Sequence, residues 1–282
     1  MTTAEDGLLA FAHRQLGPVT SLPGSGLPPH LRLLAATDDQ RYILKRHKDP
    51  NRFRAEARAY TAWVPHLGEH APRLISADPE TLSLLLTVLP GQPVTQLPER
   101  SAAERHAHYA AGHTLRLLHQ APPGPHPNTD IAAYLAERMR WWAARAHLAT
   151  LISPAELRTL HTWADTLTAT AAALDSAICH LDYQPRNWIL TPSGTVAVLD
   201  FEHTRLDARI RDFARLEHRH WKDAPRLRAA FFDGYGHHPN PAEQGQLERF
   251  GVLEAITALV RGYQSGDPQL LAHGRTLLTH LR

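Results

Sequence analysis

The spacing of apolar residues changes character near residue 90. Before that point the apolar stretches are short. Residues 41–46 (RYILKR) read as a strand, whose side chains are expected to alternate between its two faces. Short runs around Val19 and over residues 31–36, 74–77 and 82–89 read as further strands, with turns at Asp38-Asp39-Gln40 and Asp78-Pro79-Glu80. Residues 21–29 are rich in Gly and Pro and read as a loop. Residues 52–67 (RFRAEARAYTAWVPHL) carry a helical pattern as far as Pro65.

After Pro90-Gly91 the helical period dominates. Helices are expected over residues 98–119, 129–147 and 154–174, with the segment 121–128 (APPGPHPN) too rich in proline to join them. Short strands at 178–180, 188–190 and 196–199 interrupt this pattern. Helices then resume to the end, with breaks near Pro225, at 234–241 and at 266–268. The expected architecture is α+β, with a small β-rich N-lobe over residues 1–89 and a larger, mainly helical C-lobe over 90–282. No internal repeat is present.

A chain of 282 residues can build two lobes around a cleft. Its 43% hydrophobic and 21% charged residues exclude a disordered or fibrous class. The single cysteine, Cys179, allows no internal disulfide and offers no second thiolate for zinc, which fits a reducing compartment. The first residues lack the basic start and apolar core of a signal peptide, and the longest apolar run, 82–89, is too short to cross a bilayer. A cytoplasmic protein without a membrane partner is expected. The net charge of +2 comes without a block of like charges, so nucleic acid is not an expected partner. Nor do the twenty histidines suggest zinc. No H-E-x-x-H occurs, Pro65 and Gly68 disrupt the pair His66 and His70, and His106, His108 and His113 lack a ligand of another type at a familiar spacing.

The chemistry concentrates between Cys179 and Asp200. His180-Leu181-Asp182 is followed by Asn187, an H-x-D-x-x-x-x-N pattern, and the stretch Val196–Leu199 leads into Asp200-Phe201-Glu202. Phosphoryl transfer to a hydroxyl needs these parts. One carboxylate accepts the proton of the attacking hydroxyl, while a second carboxylate and an amide oxygen hold the magnesium that bridges the nucleotide phosphates. A five-residue step from Asp182 to Asn187 lets one loop aim one side chain at the hydroxyl and the other at the metal.

HLDYQPRNWIL followed by VLDFE resembles the aminoglycoside phosphotransferase family, whose fold is similar to that of protein kinases. The resemblance covers most of the chain. RYILKR looks like the strand bearing the ATP lysine, which implies Lys45, and RFRAEARAY like the helix whose glutamate pairs with it, which implies Glu56. LLLTVLPG looks like the linker that contacts adenine, with Thr87, Val88 and Leu89 as the candidates. HTLRLLHQ resembles the helix before the substrate region, and RDFARL implies Asp212 as a buried brace. By this resemblance the fold is bilobal and protein-kinase-like, Asp182 is the base, Asn187 and Asp200 are magnesium ligands, and the donor is ATP, with GTP as an alternative. Two positions depart from the family pattern. Leu181 stands where the family usually has Gly, so a side chain must find space there. The loop LPGSGLPP is not a G-x-G-x-x-G, although Gly24 and Gly26 around Ser25 would let backbone N–H groups approach a phosphate.

Several residues have a second reading. Lys45 and Glu56 taken singly would be ordinary surface charges. His180 reads as a structural residue of the motif. Glu202 is either an additional carboxylate near the metal or a rim charge, and Arg186 either neutralises the transferring phosphate or is simply solvated. Of Trp141 and Trp142, adjacent on a helix, at least one belongs to the core, because neighbours cannot share a face.

The acceptor is less legible than the reaction. Polycationic aminoglycosides need clustered carboxylates, yet residues 203–235 hold eight Lys and Arg against five Asp and Glu. Asp130, Glu137 and Asp207 are the acidic groups that could converge on a cationic drug. The balance favours a neutral or weakly charged hydroxylated compound, such as a nucleoside or other sugar-bearing antibiotic, with an aminoglycoside as the further antibiotic acceptor and resistance by phosphorylation as the consequence. A metabolic kinase for a choline-like or homoserine-like acceptor, and a catalytically silent nucleotide-binding module, are the competing readings. A protein kinase is disfavoured, because no A-P-E-like segment follows Asp200.

Overall fold

In the computed structural model, which describes residues 3–22, 27–124, 130–169 and 174–280, the chain opens with a helix that the apolar pattern does not single out. This helix, α1 (Thr3–Leu16), lays Leu8, Phe11 and Ala12 onto Val19, Leu34, Tyr42, Leu44 and Leu85. Those three positions share one face at helical spacing. The strands β1 (Val19–Ser21), β2 (Leu31–Ala36) and β3 (Arg41–Arg46) follow. Then come α2 (Pro50–Ala62), β4 (Leu74–Asp78) and β5 (Ser83–Thr87). The five strands form one antiparallel sheet in the order β1-β2-β3-β5-β4.

Helix α2 begins two residues before the apolar pattern does. The Asp49 side chain accepts from the backbone N of Asn51 at 2.8 Å, and Pro50 takes the first helical position, where its missing N–H costs nothing. The helix stops at Ala62, short of Pro65. A 3₁₀ segment, Val64–His70, replaces its expected end, with Gly68 at φ 57° breaking the helical path.

The rest of the chain runs β6 (Gln92–Pro93), α3 (Ala102–His119), α4 (Ile131–Leu148), α5 (Pro154–Ala169), β7 (Ser176–Cys179), β8 (Trp188–Leu190), β9 (Val196–Val198), β10 (Arg205–Ala208), α6 (Arg211–Arg219), α7 (Pro225–Tyr235), α8 (Pro241–Ser265) and α9 (Pro268–His280). The expected α+β class is observed, with the sheet first and helices dominating afterwards. Strands β6 and β10 are too short to show a period, which is why the pattern does not reveal them. Strand β7 ends at Cys179, so His180 lies just beyond it. Residues 125–129 of the proline-rich stretch and 170–173 at the expected end of α5 lie outside the described residues. Among the described residues, no helix is long and apolar enough to cross a membrane.

The chain divides into two compact units. The first comprises residues 1–122, 184–205 and 230–236; the second comprises 123–183, 206–229 and 237–282. Besides the five-stranded sheet, the first unit contains a small sheet in the order β6-β8-β9. Gly91, at φ 132°, passes so close to the carbonyl of Leu190 that any Cβ would overlap it. Trp188, fully buried on β8, stacks on Phe231 and meets His108 edge-on. The second unit is a helical assembly around the long helix α8. The Asn240 side chain accepts from the backbone N of Ala242 and Glu243, while Glu243 accepts from the backbone N of Asn240, a complete capping box. Gly266 at φ 66° terminates the helix in the left-handed region.

Candidate active site

Lys45 sits on β3 opposite Leu31 and Leu84 and is only 7% exposed. A buried ammonium must be paired. Its Nζ lies 2.9 Å and 2.7 Å from the two carboxylate oxygens of Glu56 on α2, and 2.6 Å from Oδ1 of Asp200. Burial alone would lower the lysine pKa; the carboxylates of Glu56 and Asp200 outweigh it and raise it, so the ammonium stays charged. Glu56 is fully buried. Its Oε1 also accepts from the backbone N of Phe201 at 3.1 Å, which ties α2 to the residue that follows Asp200.

Asp200 is delivered by the hairpin β8–β9, in which Trp188 faces Val198, Ile189 faces Ala197 and Leu190 faces Val196. The hairpin is pinned from outside. Thr114 Oγ1 on α3 donates to the carbonyl of Val196 at 2.8 Å, and a ring nitrogen of His70 stands 3.2 Å from the same oxygen. Asp200 itself has φ 69°, an uncommon conformation for an aspartate, and a side chain 33% exposed, the most open of the three charged partners. Phe201 is fully buried edge-on against Tyr60. Asn187, on a short 3₁₀ turn (Pro185–Asn187), is buried; its carbonyl accepts from the backbone N of Leu199 at 2.9 Å.

Sequence reasoning did not foresee His47, which extends this cluster. It is 5% exposed, with Nε2 2.8 Å from Oε2 of Glu56 and Nδ1 3.7 Å from Oε2 of Glu202. Glu202 also receives Arg52 Nη1 at 2.6 Å. Its carboxylate is therefore bound into an ion-pair network within the first unit.

Asp182 belongs to the second unit and is 4% exposed. The loop that carries it is held by Asp212 on α6, whose two oxygens accept from the backbone N of His180 at 2.8 Å and of Leu181 at 2.5 Å. The expected brace is thus a grip on the main chain. His180, fully buried, takes the backbone N–H of Asp182 on Nδ1 at 3.2 Å, a structural contact. Leu181 has φ 62°, so the position needs a left-handed backbone, which Gly adopts without strain, and not merely space. The Asp182 carboxylate is in ion-pair contact with Arg215 on α6, another residue that sequence reasoning did not single out. Its signal was present in the spacing of Arg211, Arg215 and Arg219, each four residues apart.

The remaining candidates are placed as follows. Thr87, Val88 and Leu89 are half-buried at the end of β5, and Thr87 exchanges hydrogen bonds with the backbone of Arg73. Ser25 lies outside the described residues. Arg186 is exposed. Trp142 is buried while Trp141 is half exposed, its ring covered by the Arg145 guanidinium at 4.4 Å.

A buried Lys-Glu-Asp cluster on a five-stranded antiparallel sheet, continued by a mostly helical chain, defines the α+β fold of protein-kinase-like phosphotransferases. The sequence matches the model of the phosphotransferase enzyme family over residues 30–247, and the chain belongs to that family. It is a small-molecule kinase with an alcohol group as acceptor. Solved structures with this fold include the gentamicin complex of APH(2")-IIa, with TM-score 0.68 and 15% identity over 99% of this chain and 97% of that one. The macrolide 2'-phosphotransferase MphH from Brachybacterium faecium gives 0.67 and 18% over 97% of both chains. The choline kinase LicA from Streptococcus pneumoniae gives 0.67 and 15% over 99% and 100%. No protein of curated function matches the sequence significantly.

Proposed function

We propose that this kinase transfers the γ-phosphoryl group of ATP, with GTP as an alternative donor, to a hydroxyl of a small neutral molecule in the presence of magnesium. The observation that carries the reading is the buried Lys45–Glu56–Asp200 cluster, which places an oriented ammonium beside a partly open carboxylate. Lys45, oriented by Glu56, pairs with the α- and β-phosphates. Asp200 and Asn187 offer hard oxygen donors of the kind magnesium takes, so the residues fit the metal they would hold. When bound, magnesium neutralises charge on the phosphates. In the nucleotide-binding lobe, residues 1–89, Thr87, Val88 and Leu89 are the residues assigned to adenine, and the family resemblance alone assigns Ser25 to a phosphate. Residues 90–282 supply the base and the acceptor site. Asp182 orients the acceptor hydroxyl and takes its proton as the oxygen bonds to the γ-phosphorus; the β–γ bridging oxygen leaves with ADP.

The acceptor class is supported by the fate of the carboxylates in the second unit. Asp207 is paired with Arg211, Glu254 with Arg215 and Arg219, and Glu217 with Arg228. Glu243 is paired with Arg209 and His237, and Glu156 with Arg275. Of the three acidic groups considered for a cationic drug, Asp207 is thus neutralised, Asp130 is an exposed helix cap accepting from the backbone N of Ala133, and Glu137, exposed on α4, is left outside these pairs. Carboxylates already matched to guanidinium groups have little left to offer a polyamine. A nucleoside or other sugar-bearing antibiotic fits better, with phosphorylation conferring resistance. A metabolic acceptor is the second reading, since one of the matching folds is a choline kinase. The test is a mass-shift screen of hydroxylated compounds with enzyme, ATP and magnesium. An added phosphoryl group on neutral compounds, lost in Asp182→Asn, is expected; selectivity for polycationic aminoglycosides would overturn the acceptor class, and an unimpaired Asp182→Asn the base.

A further inference from the structure

Helix α6 presents three arginines at intervals of four residues, which places them along one face. Each meets a carboxylate. Arg211 pairs with Asp207, and Arg219 with Glu254 on α8. Arg215 stands between two: its Nη1 contacts Oδ1 of Asp182, and its Nε lies 3.6 Å from Oε1 of Glu254. We propose that Arg215 is a positioning residue that fixes the orientation of the Asp182 carboxylate, and that Glu254 anchors Arg215. This rests on the assignment of Asp182 as the base.

The same helix already holds the loop one turn earlier. Asp212 binds the main chain of His180 and Leu181, and His180 takes the N–H of Asp182. These bonds set the main chain at Asp182, and the Arg215 guanidinium meets its carboxylate. A planar guanidinium in contact with one oxygen restricts rotation of that carboxylate in a way a rotating ammonium would not. The arginine is itself restrained, with a side chain 18% exposed and Glu254 behind it at 11%. Burial works against the charge of Glu254; Arg215 and Arg219 outweigh it and pull its pKa down, so the anchor stays ionised at neutral pH. The arrangement also bears on the acceptor. An ammonium group brought to this base would meet a guanidinium already there, which disfavours cationic acceptors.

The test uses full-length enzyme and Mg-ATP, with water as the acceptor hydroxyl. Parent, Asp182→Asn, Arg215→Ala, Arg215→Lys, Glu254→Gln and the double variant Arg215→Ala/Glu254→Gln are compared, together with crystal structures of parent and Arg215→Ala. For Arg215→Ala, kcat is expected to fall about tenfold to a hundredfold with little change in KM for ATP, the size of effect that misplacing a reacting group produces. Arg215→Lys should fall in between, and added guanidinium ion should restore part of the Arg215→Ala rate. Glu254→Gln should lower kcat in the parent background but add little to Arg215→Ala, because it acts through the arginine. The Arg215→Ala crystal should show Asp182 in more than one rotamer with the Asp212 contacts intact. A single unchanged Asp182 rotamer in Arg215→Ala overturns the positioning role, whether or not turnover onto water is measurable. So does an Arg215→Ala variant at the parent rate while Asp182→Asn is impaired. Asp182→Asn at the parent rate would instead remove the base assignment.

Discussion

Lys45 Nζ and Asp200 Oδ1 stand 2.6 Å apart although 155 residues separate them along the chain. The lysine comes from the middle of a sheet and the aspartate from the end of a hairpin. Glu56, fully buried, binds both the ammonium and the main chain beyond Asp200. The cluster is therefore a structural joint as well as the nucleotide-binding feature proposed above.

Replacing the ammonium should expose this dual role. Lys45→Met leaves a buried glutamate without its cation, a change that costs about 3 kcal/mol of folding stability by analogy with other broken buried pairs. Urea denaturation should register that loss, and Lys45→Met/Glu56→Gln should recover part of it, since no buried charge is then stranded. Both variants should bind ATP more weakly than the parent in calorimetry.

Leu181 carries a backbone cost. At φ 62° an L-residue other than Gly gives up about 1–2 kcal/mol. Leu181→Gly should thus unfold at a urea concentration at least as high as the parent and keep its activity. Leu181→Val, with a branched Cβ at the same dihedral, should lose about 1 kcal/mol or more. Equal stability of the Gly and Val variants would show that the dihedral is not what limits this position.

Glu254 predicts a pH signature. Its folded pKa lies below the ordinary value of 4.5. A group with a depressed folded pKa contributes stability above its unfolded pKa, and that contribution is lost as pH falls through the folded one. Glu254→Gln should consequently be less stable than the parent at pH 7. The gap should narrow as pH drops below 4.5, followed by thermal unfolding across the acid range. A gap independent of pH would place the effect in packing.

How far the sequence reaches can be judged element by element. The apolar run Tyr42-Ile43-Leu44 between charged residues locates the strand that carries Lys45, but not the burial of the lysine itself, since Leu44 and Lys45 are both buried and the strand does not simply alternate. Helix α1 escapes such reading until its partners are known, since Leu8, Phe11 and Ala12 become a core face only against Leu34 and Leu44. Strand β10, four residues long, shows no period, yet it pairs with β7 and leads into α6. In the candidate site, Lys45, Glu56 and Asp200 could be named in advance, and the structure brings them into contact. The four-residue spacing of Arg211, Arg215 and Arg219 is visible in the sequence, but it does not say that Arg215 meets Asp182, and His47 gains its place only from the folded positions of Glu56 and Glu202.

By itself the sequence determined what is local: the periods of strands and helices, the proline and glycine breaks, and an H-x-D-x-x-x-x-N loop followed by a strand and Asp200. Only tertiary structure decided which charges meet. It set Lys45 between Glu56 and Asp200, gave Asp212 to the main chain of His180 and Leu181, and brought Arg215 to Asp182. The reason is physical. Backbone periodicity is fixed by neighbours three or four residues away, whereas a buried charge is tolerated only where the folded chain delivers a counter-charge to it.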